Sequence, residues 1–262
     1  MMACYVPFNS RNLDISFFAF RPTVVDVEDL IQAFKQISCY TESLGCVHSS
    51  IFKSIHGNLI IWYGAWMKRS DENKQLLIAT LLSLFTRVTS MAMLSDYGFF
   101  SAYAGESKDG SPAAKFFTGD TICFSSARVC GDYCNQYNND HNTISYAGLA
   151  IFKDRFLKMS GAKSGVCFRC QTETKTETEI ETGPPILSLV VWQSLQSCYT
   201  FLLTSPDCRR PALDDLALDI KYDVFRVVYV SGEPVDMVEL PLYTKKSVNQ
   251  VQLIKNEDEG DC

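Results

Sequence analysis

The sequence predicts an α+β fold, a mostly antiparallel sheet with helices packed on its faces, and three neighbouring segments carry that prediction. Val47–Ile55 and Leu59–Met67 are rich in β-branched and aromatic residues, which favour strands. Gly57-Asn58 between them suits the positive φ angles of a tight hairpin turn. A helix is predicted over Asp71–Ala92, because Ser70 is a good N-cap and the apolar residues after it recur at helical spacing.

Leu59–Met67 has the most distinctive pattern of these segments, since both of its faces are apolar. A strand that is apolar on both faces is covered on both, so we expect it in the middle of the sheet. Gly64 lies between Trp62 and Trp66 on one face, where it leaves room for the indole rings or marks a bulge.

The rest of the chain alternates between strands and helices. Apolar and aromatic runs predict strands at Leu13–Phe20, Tyr97–Ala104, Lys115–Val129, Val166–Gln171 and Tyr222–Val230. Helical spacing of apolar residues predicts helices over about Val27–Ser38, Thr143–Met159 and Ile186–Thr204. We find no internal repeat in the sequence.

One domain is predicted over residues 1–243. Thr172–Pro185 is polar and acidic and cannot bury a face, so it is predicted to be an exposed loop within that domain. Residues 244–262 are predicted to be a polar, acidic tail. The segment Ile186–Thr204 is long and apolar, but it contains Gln193 and Gln196, so a buried amphipathic helix is expected rather than a membrane span.

The composition excludes several classes of protein. The net charge is −6 and no run of Lys or Arg exceeds two residues, which argues against nucleic-acid binding. The eleven cysteines are an odd number and no secretory signal opens the chain. We therefore expect free thiols in a reducing compartment, the cytoplasm or the nucleus, and no insertion into a membrane.

Five residues could in principle form a zinc site: Cys130, Cys134, His141, Cys167 and Cys170. Cys167 and Cys170 lie in a predicted strand, where residues three apart point to opposite faces. Two sulfurs on opposite faces cannot bind one ion. No metal and no cofactor are therefore expected.

Two resemblances to known proteins accompany these patterns. The order helix, strand, strand, helix, strand, strand, helix over residues 27–159 resembles the longin/roadblock fold, which implies trafficking or small-GTPase partners. Phrases such as LGCVHSSIFKSIHGNLIIWYGAWMKRS and KYDVFRVVYVS resemble an uncharacterised family of land-plant proteins, which implies no activity.

The chain is poor in polar residues that could converge on a catalytic site. It is therefore predicted to be a non-catalytic interaction module, an adaptor or regulatory subunit with a protein partner. The exposed loop that carries Glu106, Lys108 and Asp109 is its candidate partner-binding surface. The alternative is an enzyme or small-molecule sensor, with a site assembled from distant residues such as Cys46, His48 and His141.

Overall fold

The structure is a computed structural model that describes residues 2–8, 12–56, 58–129, 149, 152, 153, 155, 156, 158–171, 186–204 and 218–232. Its strands are β1 (Cys4–Pro7), β2 (Leu13–Pro22), β3 (Cys46–Ser54), β4 (Ile60–Met67), β5 (Ala92–Ser107), β6 (Ala113–Phe116), β7 (Thr121–Val129), β8 (Ala162–Cys170), β9 (Ile186–Trp192) and β10 (Leu218–Val230). Its helices are α1 (Glu28–Ser43), α2 (Asp71–Phe85), α3 (the described helical positions among 149–158) and α4 (Leu195–Thr204). A 3₁₀ turn at Thr86–Val88 follows α2.

Eight of these strands close into one antiparallel barrel with the order β10-β3-β4-β2-β5-β8-β9-β7. The chain builds the barrel from two successive βαββαβ units. The first unit is β2-α1-β3-β4-α2-β5, and the second is β7-α3-β8-β9-α4-β10. In space the strands of the first unit follow the order β3-β4-β2-β5, and those of the second unit follow the same order, β8-β9-β7-β10. The two units join where β5 pairs with β8 and where β10 pairs with β3. The sheet is therefore a barrel with an internal twofold relation.

The two remaining strands, β1 and β6, pair with each other in a separate two-stranded sheet, which we call the ribbon. Its residues alternate between two environments, as strand residues must. Cys4, Val6, Ala114 and Phe116 are fully buried and belong to the core of the barrel. The ribbon thus contributes one face to the barrel interior, and Tyr5 on its other face is exposed.

The hydrophobic core is divided between the interior of the barrel and the layers outside it. The barrel interior is one cluster, and the outer face of the first unit packs against α1 and α2 in a second cluster. A third cluster lies between the outer face of the second unit and its helices. Because the strands alternate their side chains between inside and outside, a strand such as β4 has buried apolar residues on both faces.

Several predictions from the sequence are confirmed. The fold is α+β and antiparallel, and β4 lies centrally between β3 and β2 with only Met67 exposed. Ser70 caps α2, where its hydroxyl accepts a hydrogen bond from the Asn73 amide at 3.4 Å. At Gly64 a Cβ atom would lie 2.7 Å from the indole ring of Trp62, so the glycine does make room for that ring.

Three element predictions are wrong. The α2 helix ends at Phe85 and Ala92 is the first residue of β5, because the chain must turn there to begin the last strand of its unit. Lys115–Val129 is two strands, separated by a turn in which Gly119 has φ +95°. Ile186–Trp192 is a strand rather than helix, since it is covered on both faces and its period of four also fits alternation.

The longin/roadblock resemblance is also wrong. The predicted order of elements over residues 27–159 matches most of the first unit and the start of the second. Element order alone does not distinguish an open sheet from part of a closed barrel. The closed barrel of two like units overturns this resemblance, and these units are a repeat of structure rather than of sequence pattern. The predicted loop at Thr172–Pro185 and the predicted tail at 244–262 lie outside the described residues.

Candidate functional site

The barrel interior contains a twofold-related set of aromatic rings. When the two units are aligned by their strand registers, Phe17 corresponds to Phe124, Phe52 to Phe168 and Phe100 to Phe225. Phe17 and Phe124 meet edge to face, with ring centroids 5.3 Å apart.

The contacts around this central pair repeat in each unit. Phe17 lies 5.5 Å from Phe100, and Phe124 lies 5.6 Å from Phe225. The contacts between units repeat as well, because Phe17 is 5.4 Å from Phe168 and Phe124 is 5.7 Å from Phe52. The interior is thus an apolar aromatic box in which each unit supplies the same rings.

Tyr63 brings a phenol hydroxyl into this box. Its position in β4 corresponds to Leu189 in β9, because Tyr63 pairs with Phe17 and Leu189 pairs with Phe124. Its side chain is fully buried, and its hydroxyl has no hydrogen-bond partner of normal geometry among the described residues. A buried hydroxyl without such a partner is costly, because it has lost its hydrogen bonds to water.

The Cys4 thiol of the ribbon is the ionisable group that interacts most closely with the Tyr63 hydroxyl. Burial raises the pKa of both groups. Their side-chain contact raises the pKa of Tyr63 further and lowers that of Cys4, less than burial raises it. Cys46 adds to the rise in the pKa of both groups. Tyr63 and Cys4 therefore keep their protons at neutral pH, and Tyr63 can act as a hydrogen-bond donor.

The ribbon covers Tyr63 from one side. Phe116 is fully buried, with its ring centroid 6.2 Å from that of Tyr63 and 5.5 Å from that of Phe52. In the described part of the chain, β1 and β6 form ladder hydrogen bonds only with each other. Side-chain packing therefore holds the ribbon on the barrel, and a lone two-stranded ribbon is a weakly stabilised element.

Cys46 and His48 lie beside this region, at a bulge in the pairing of β3 with β4. The Cys46 thiol donates a hydrogen bond to the backbone carbonyl oxygen of His48 at 3.2 Å, so their side chains do not form a nucleophile and base pair. Burial raises the pKa of Cys46 to about 12, which makes it a poor nucleophile.

The half-buried imidazole of His48 contacts the ring of Tyr5, with centroids 6.2 Å apart, and burial lowers the pKa of His48. His48 thus lies at the contact between the ribbon and the barrel. His141, the third residue of the sequence-based alternative, lies outside the described residues.

The second unit has a bulge at the same place, but different side chains. The pairing of β8 with β9 shifts between Ala162 and Ser164, as that of β3 with β4 shifts between Cys46 and His48. The thiol, imidazole and phenol of the first unit therefore correspond to Ala162, Ser164 and Leu189. At these three positions the second unit keeps one polar group, the buried Ser164 hydroxyl, which also has no hydrogen-bond partner in the described part of the chain.

The predicted partner-binding residues Glu106, Lys108 and Asp109 are all exposed, at the end of β5 and in the turn after it. Asp109 accepts hydrogen bonds from the Ser107 hydroxyl and, at 2.9 Å, from the Ser111 amide. These hydrogen bonds lower the pKa of Asp109 and hold the turn in shape. The Lys108 ammonium lies 5.0 Å above the ring of Phe156.

Cys167 and Cys170, the two residues of the imagined zinc site that the structure describes, lie on opposite faces of β8 as predicted. Cys167 packs in the cluster between the second unit and its helices, whereas Cys170 packs against the barrel interior. Burial raises the pKa of Cys167 to about 12. Cys130, Cys134 and His141 lie outside the described residues. Elsewhere, in the described parts of the chain, no three His, Cys, Asp or Glu side chains converge as a metal site would require.

A buried ion pair lies outside the barrel, under the first turn of α2. Asp14 is 1% exposed, and its Oδ2 atom lies 3.6 Å from the Lys74 ammonium. Lys74 also donates a hydrogen bond to the side-chain oxygen of Gln171 at 2.7 Å, which links α2 to the end of β8. Because both charges are buried and mutually compensated, we assign this cluster to the connection between the units.

Sequence reasoning missed Tyr63 and Cys4. A signal for Tyr63 was present, because its hydroxyl falls within a strand whose two faces are both apolar. No sequence signal pointed to Cys4, since the ribbon joins segments that are more than a hundred residues apart.

Comparison with known proteins identifies the fold. An anthrone oxidase-like protein matches with a TM-score of 0.58 at 14% identity, over 90% of this chain and 100% of that one. A Fusobacterium nucleatum protein named "Putative monooxygenase" matches with a TM-score of 0.53 at 7% identity, over 84% of this chain and 94% of that one. At these identities the likeness shows the fold alone: two ferredoxin-like units forming the barrel of the dimeric α+β class, here within one chain.

Family comparison corrects the second resemblance. Residues 98–225, just under half of the chain, match a domain of unknown function, DUF7392, which stands in place of the land-plant family named from the sequence. No curated protein matches the chain. In the described part of the chain, no helix is long and apolar enough to cross a membrane. The chain is thus similar to DUF7392 in sequence and to the dimeric α+β barrels in fold.

Proposed function

We propose that the chain is a small-molecule-binding protein, an enzyme or a sensor, whose ligand occupies the barrel interior beneath the ribbon. The observation that carries the proposal is the Tyr63 hydroxyl, which is buried in an aromatic box without a hydrogen-bond partner of normal geometry among the described residues. A ligand oxygen that accepts its proton would satisfy this group. This proposal takes up the alternative that the sequence raised and moves its centre from Cys46 and His48 to Tyr63.

The surroundings of Tyr63 define the ligand. Its walls are the rings of Phe17, Phe52 and Phe116, so the ligand is flat and apolar. Because Tyr63 stays protonated at neutral pH, the ligand presents an acceptor, such as a carbonyl or phenolate oxygen. The names of the two similar structures make oxidation of such a molecule by dioxygen the first reaction to assay.

Entry of the ligand requires the ribbon to move, because Tyr63 and Phe116 are fully buried. The ribbon suits this role, since side-chain packing holds it on the barrel and Phe116 fills the space next to Tyr63. Displacement of the Phe116 ring leaves a site of about the size of one aromatic group. The proposal therefore predicts that removal of this ring opens the site.

The test compares binding of aromatic ketones, phenols and quinones to the native chain, Tyr63→Phe and Phe116→Ala, by thermal shift and ligand fluorescence. Phe116→Ala is expected to bind at least one of these compounds more tightly, and Tyr63→Phe more weakly. Phe152→Ala removes a similarly buried ring outside the barrel and controls for general loosening. Equal binding by Phe116→Ala and Phe152→Ala, with no effect of Tyr63→Phe, would reject the barrel site.

A second candidate is the adaptor predicted from the sequence, and one observation favours it. The turn that carries Glu106, Lys108 and Asp109 is exposed and held in shape by hydrogen bonds to Asp109, so it is preorganised for a protein partner. Affinity purification from native cells with the native chain and with an Asp109→Ala variant tests it. A partner lost only in the variant would support the adaptor.

A further inference from the structure

Ser164 of β8 places another buried hydroxyl in the barrel interior. The residue is 3% exposed, and its hydroxyl oxygen has no hydrogen-bond partner among the residues that the structure describes. Ser164 pairs with Val191, and Val166 follows it on the same face of β8. Both valines belong to the interior cluster, so the Ser164 side chain faces the barrel interior, as that of Tyr63 does.

Ser164 and Tyr63 face the interior from different parts of the barrel wall. Strands β2 and β5 separate β4 from β8 in one direction, and β9, β7, β10 and β3 separate them in the other. The ring of Phe17 lies between, with its centroid 5.6 Å from that of Tyr63 and 5.4 Å from that of Phe168 in β8. A molecule that lies along these rings with one end at Tyr63 therefore has its other end toward β8.

The ribbon borders the β8 side of the interior as well as the Tyr63 side. Its strand β6 contacts β8 and β9. The ring of Phe8, the residue after β1, packs on Gly105 of β5, where an added Cβ atom would lie 2.6 Å from the Phe8 Cγ atom. Gly105 pairs with Val166, two residues from Ser164. Displacement of the ribbon therefore uncovers both sides of the interior.

Comparable positions in the barrel do have contacts. Ser164 corresponds to His48, whose imidazole contacts the ring of Tyr5, with centroids 6.2 Å apart. Ser50, another buried serine of the interior, donates a hydrogen bond to the Tyr229 carbonyl oxygen at 2.6 Å. The Ser164 hydroxyl has no such bond in the described part of the chain, and a ligand atom would offset the cost of its burial.

We propose that Ser164 is a second polar contact for the ligand in the barrel interior, so that this ligand is an aromatic molecule with polar groups at both ends. The inference rests on the proposed function and narrows its ligand class. The group at Tyr63 is a hydrogen-bond acceptor, because that phenol stays protonated at neutral pH. The group at Ser164 is a donor or an acceptor, since a serine hydroxyl serves as either.

The test compares acetophenone, which has one carbonyl group, with para-hydroxyacetophenone, which adds a hydroxyl at the opposite end of the ring. The native chain is expected to bind the hydroxylated compound about fivefold more tightly, as one further hydrogen bond would give. Ser164→Ala is expected to remove this preference and to leave the affinity for acetophenone unchanged. Calorimetry or ligand fluorescence measures the four affinities.

Two serines of β3 provide matched controls. Ser49 also has a buried hydroxyl without a partner in the described part of the chain, but it lies on the same face as Ile51, toward the helices. Ser49→Ala is therefore expected to keep the preference for the hydroxylated compound. Ser50→Ala removes an interior hydroxyl that is already bonded to the backbone, and it is expected to keep the preference as well.

Thermal unfolding without ligand provides a readout that does not depend on binding. Ser50→Ala loses the hydrogen bond to the Tyr229 carbonyl and is expected to lower the melting temperature. Ser164→Ala is expected to leave the melting temperature unchanged or to raise it. An equal fall in the two variants would show that the fold itself uses the Ser164 hydroxyl and would overturn the proposal.

The binding results separate this inference from the barrel site itself. If Tyr63→Phe weakens acetophenone binding while Ser164→Ala keeps the preference, the barrel site stands and the role of Ser164 is rejected. Equal affinity of the native chain for the two compounds also rejects that role. If neither compound binds the native chain or Phe116→Ala, the Ser164 contact is rejected together with aromatic ketones as ligands.

Discussion

The two βαββαβ units share one fold but divide their polar groups unequally. In the barrel interior, Tyr63 of the first unit stands where the second has Leu189. In the layer under the helices, the Trp66 indole donates a hydrogen bond to the Ser16 hydroxyl at 2.9 Å. The corresponding indole of Trp192 has no hydrogen-bond partner in the described part of the chain.

Register explains the difference between the two indoles. Ser16 pairs with Gly64 in the first unit, and Cys123 pairs with Val190 at the same place in the second. A hydroxyl accepts a hydrogen bond well, whereas a thiol accepts one weakly. The aromatic rings of the box are alike in the two units, whereas these polar positions differ between them.

The largest expected effect tests the likeness of the units. Phe17→Ala and Phe124→Ala each remove a buried ring from the centre of the box, and each is expected to lower the free energy of unfolding by about 3–5 kcal/mol. Denaturant unfolding measures both, with Phe17→Leu and Phe124→Leu as milder versions. Costs that differ more than about twofold would contradict equivalent roles for the two rings.

Gly64→Ala sharpens the comparison in the helix layer, because Val190 occupies its place in the second unit. The new Cβ atom would lie 2.7 Å from the Trp62 ring, so the variant is expected to lose about 1–3 kcal/mol of stability. In a Trp62→Leu background, which removes the clashing atoms, the same change is expected to cost much less. A cost that persists in that background would place its cause in the backbone.

Substitutions of the residues beside the Trp66 and Trp192 indoles are expected to change the free energy of unfolding in opposite directions. Ser16→Ala leaves the buried Trp66 N–H without an acceptor and is expected to cost about 1–3 kcal/mol. Cys123→Ser offers Trp192 an acceptor and is expected to stabilise the chain by up to about 1 kcal/mol. Denaturant unfolding of the two variants decides the matter, and a destabilised Cys123→Ser would show that the second unit excludes the hydroxyl.

The smallest expected effect concerns His48, which corresponds to Ser164. Burial lowers the pKa of His48 in the folded state below its usual 6.5, so the unfolded chain binds the proton more readily. The contribution of neutral His48 to stability is therefore present above pH 6.5 and declines as the pH falls below it. His48→Gln is expected to flatten the slope of stability between neutral and mildly acidic pH. An unchanged slope would contradict this role.

The predictions from sequence succeeded where a pattern is local. The β3–β4 hairpin, the Ser70 cap and the space at Gly64 each depend on residues within one short segment. Ile186–Trp192 failed because apolar residues four apart fit a helix as well as a doubly covered strand.

The closure of the barrel could not be predicted, because it depends on contacts between strands of different units. The structural repeat could not be predicted, because the two units have the same fold but few identical residues. Phe17/Phe124 and Trp66/Trp192 are among the identical pairs. The candidate site could not be predicted either. Cys4 contacts Tyr63 from a ribbon whose two strands are far apart in the sequence.

The most direct test of the central claim is the free energy of unfolding of Tyr63→Phe, measured together with its ligand binding. Because the lost hydroxyl has no hydrogen bond of normal geometry among the described residues, the ligand-free variant is expected to be as stable as the native chain or up to about 1 kcal/mol more stable. Its binding of aromatic ligands is expected to weaken at least about tenfold. A variant that loses stability by more than about 1 kcal/mol and binds as the native chain does would show that Tyr63 is a structural residue.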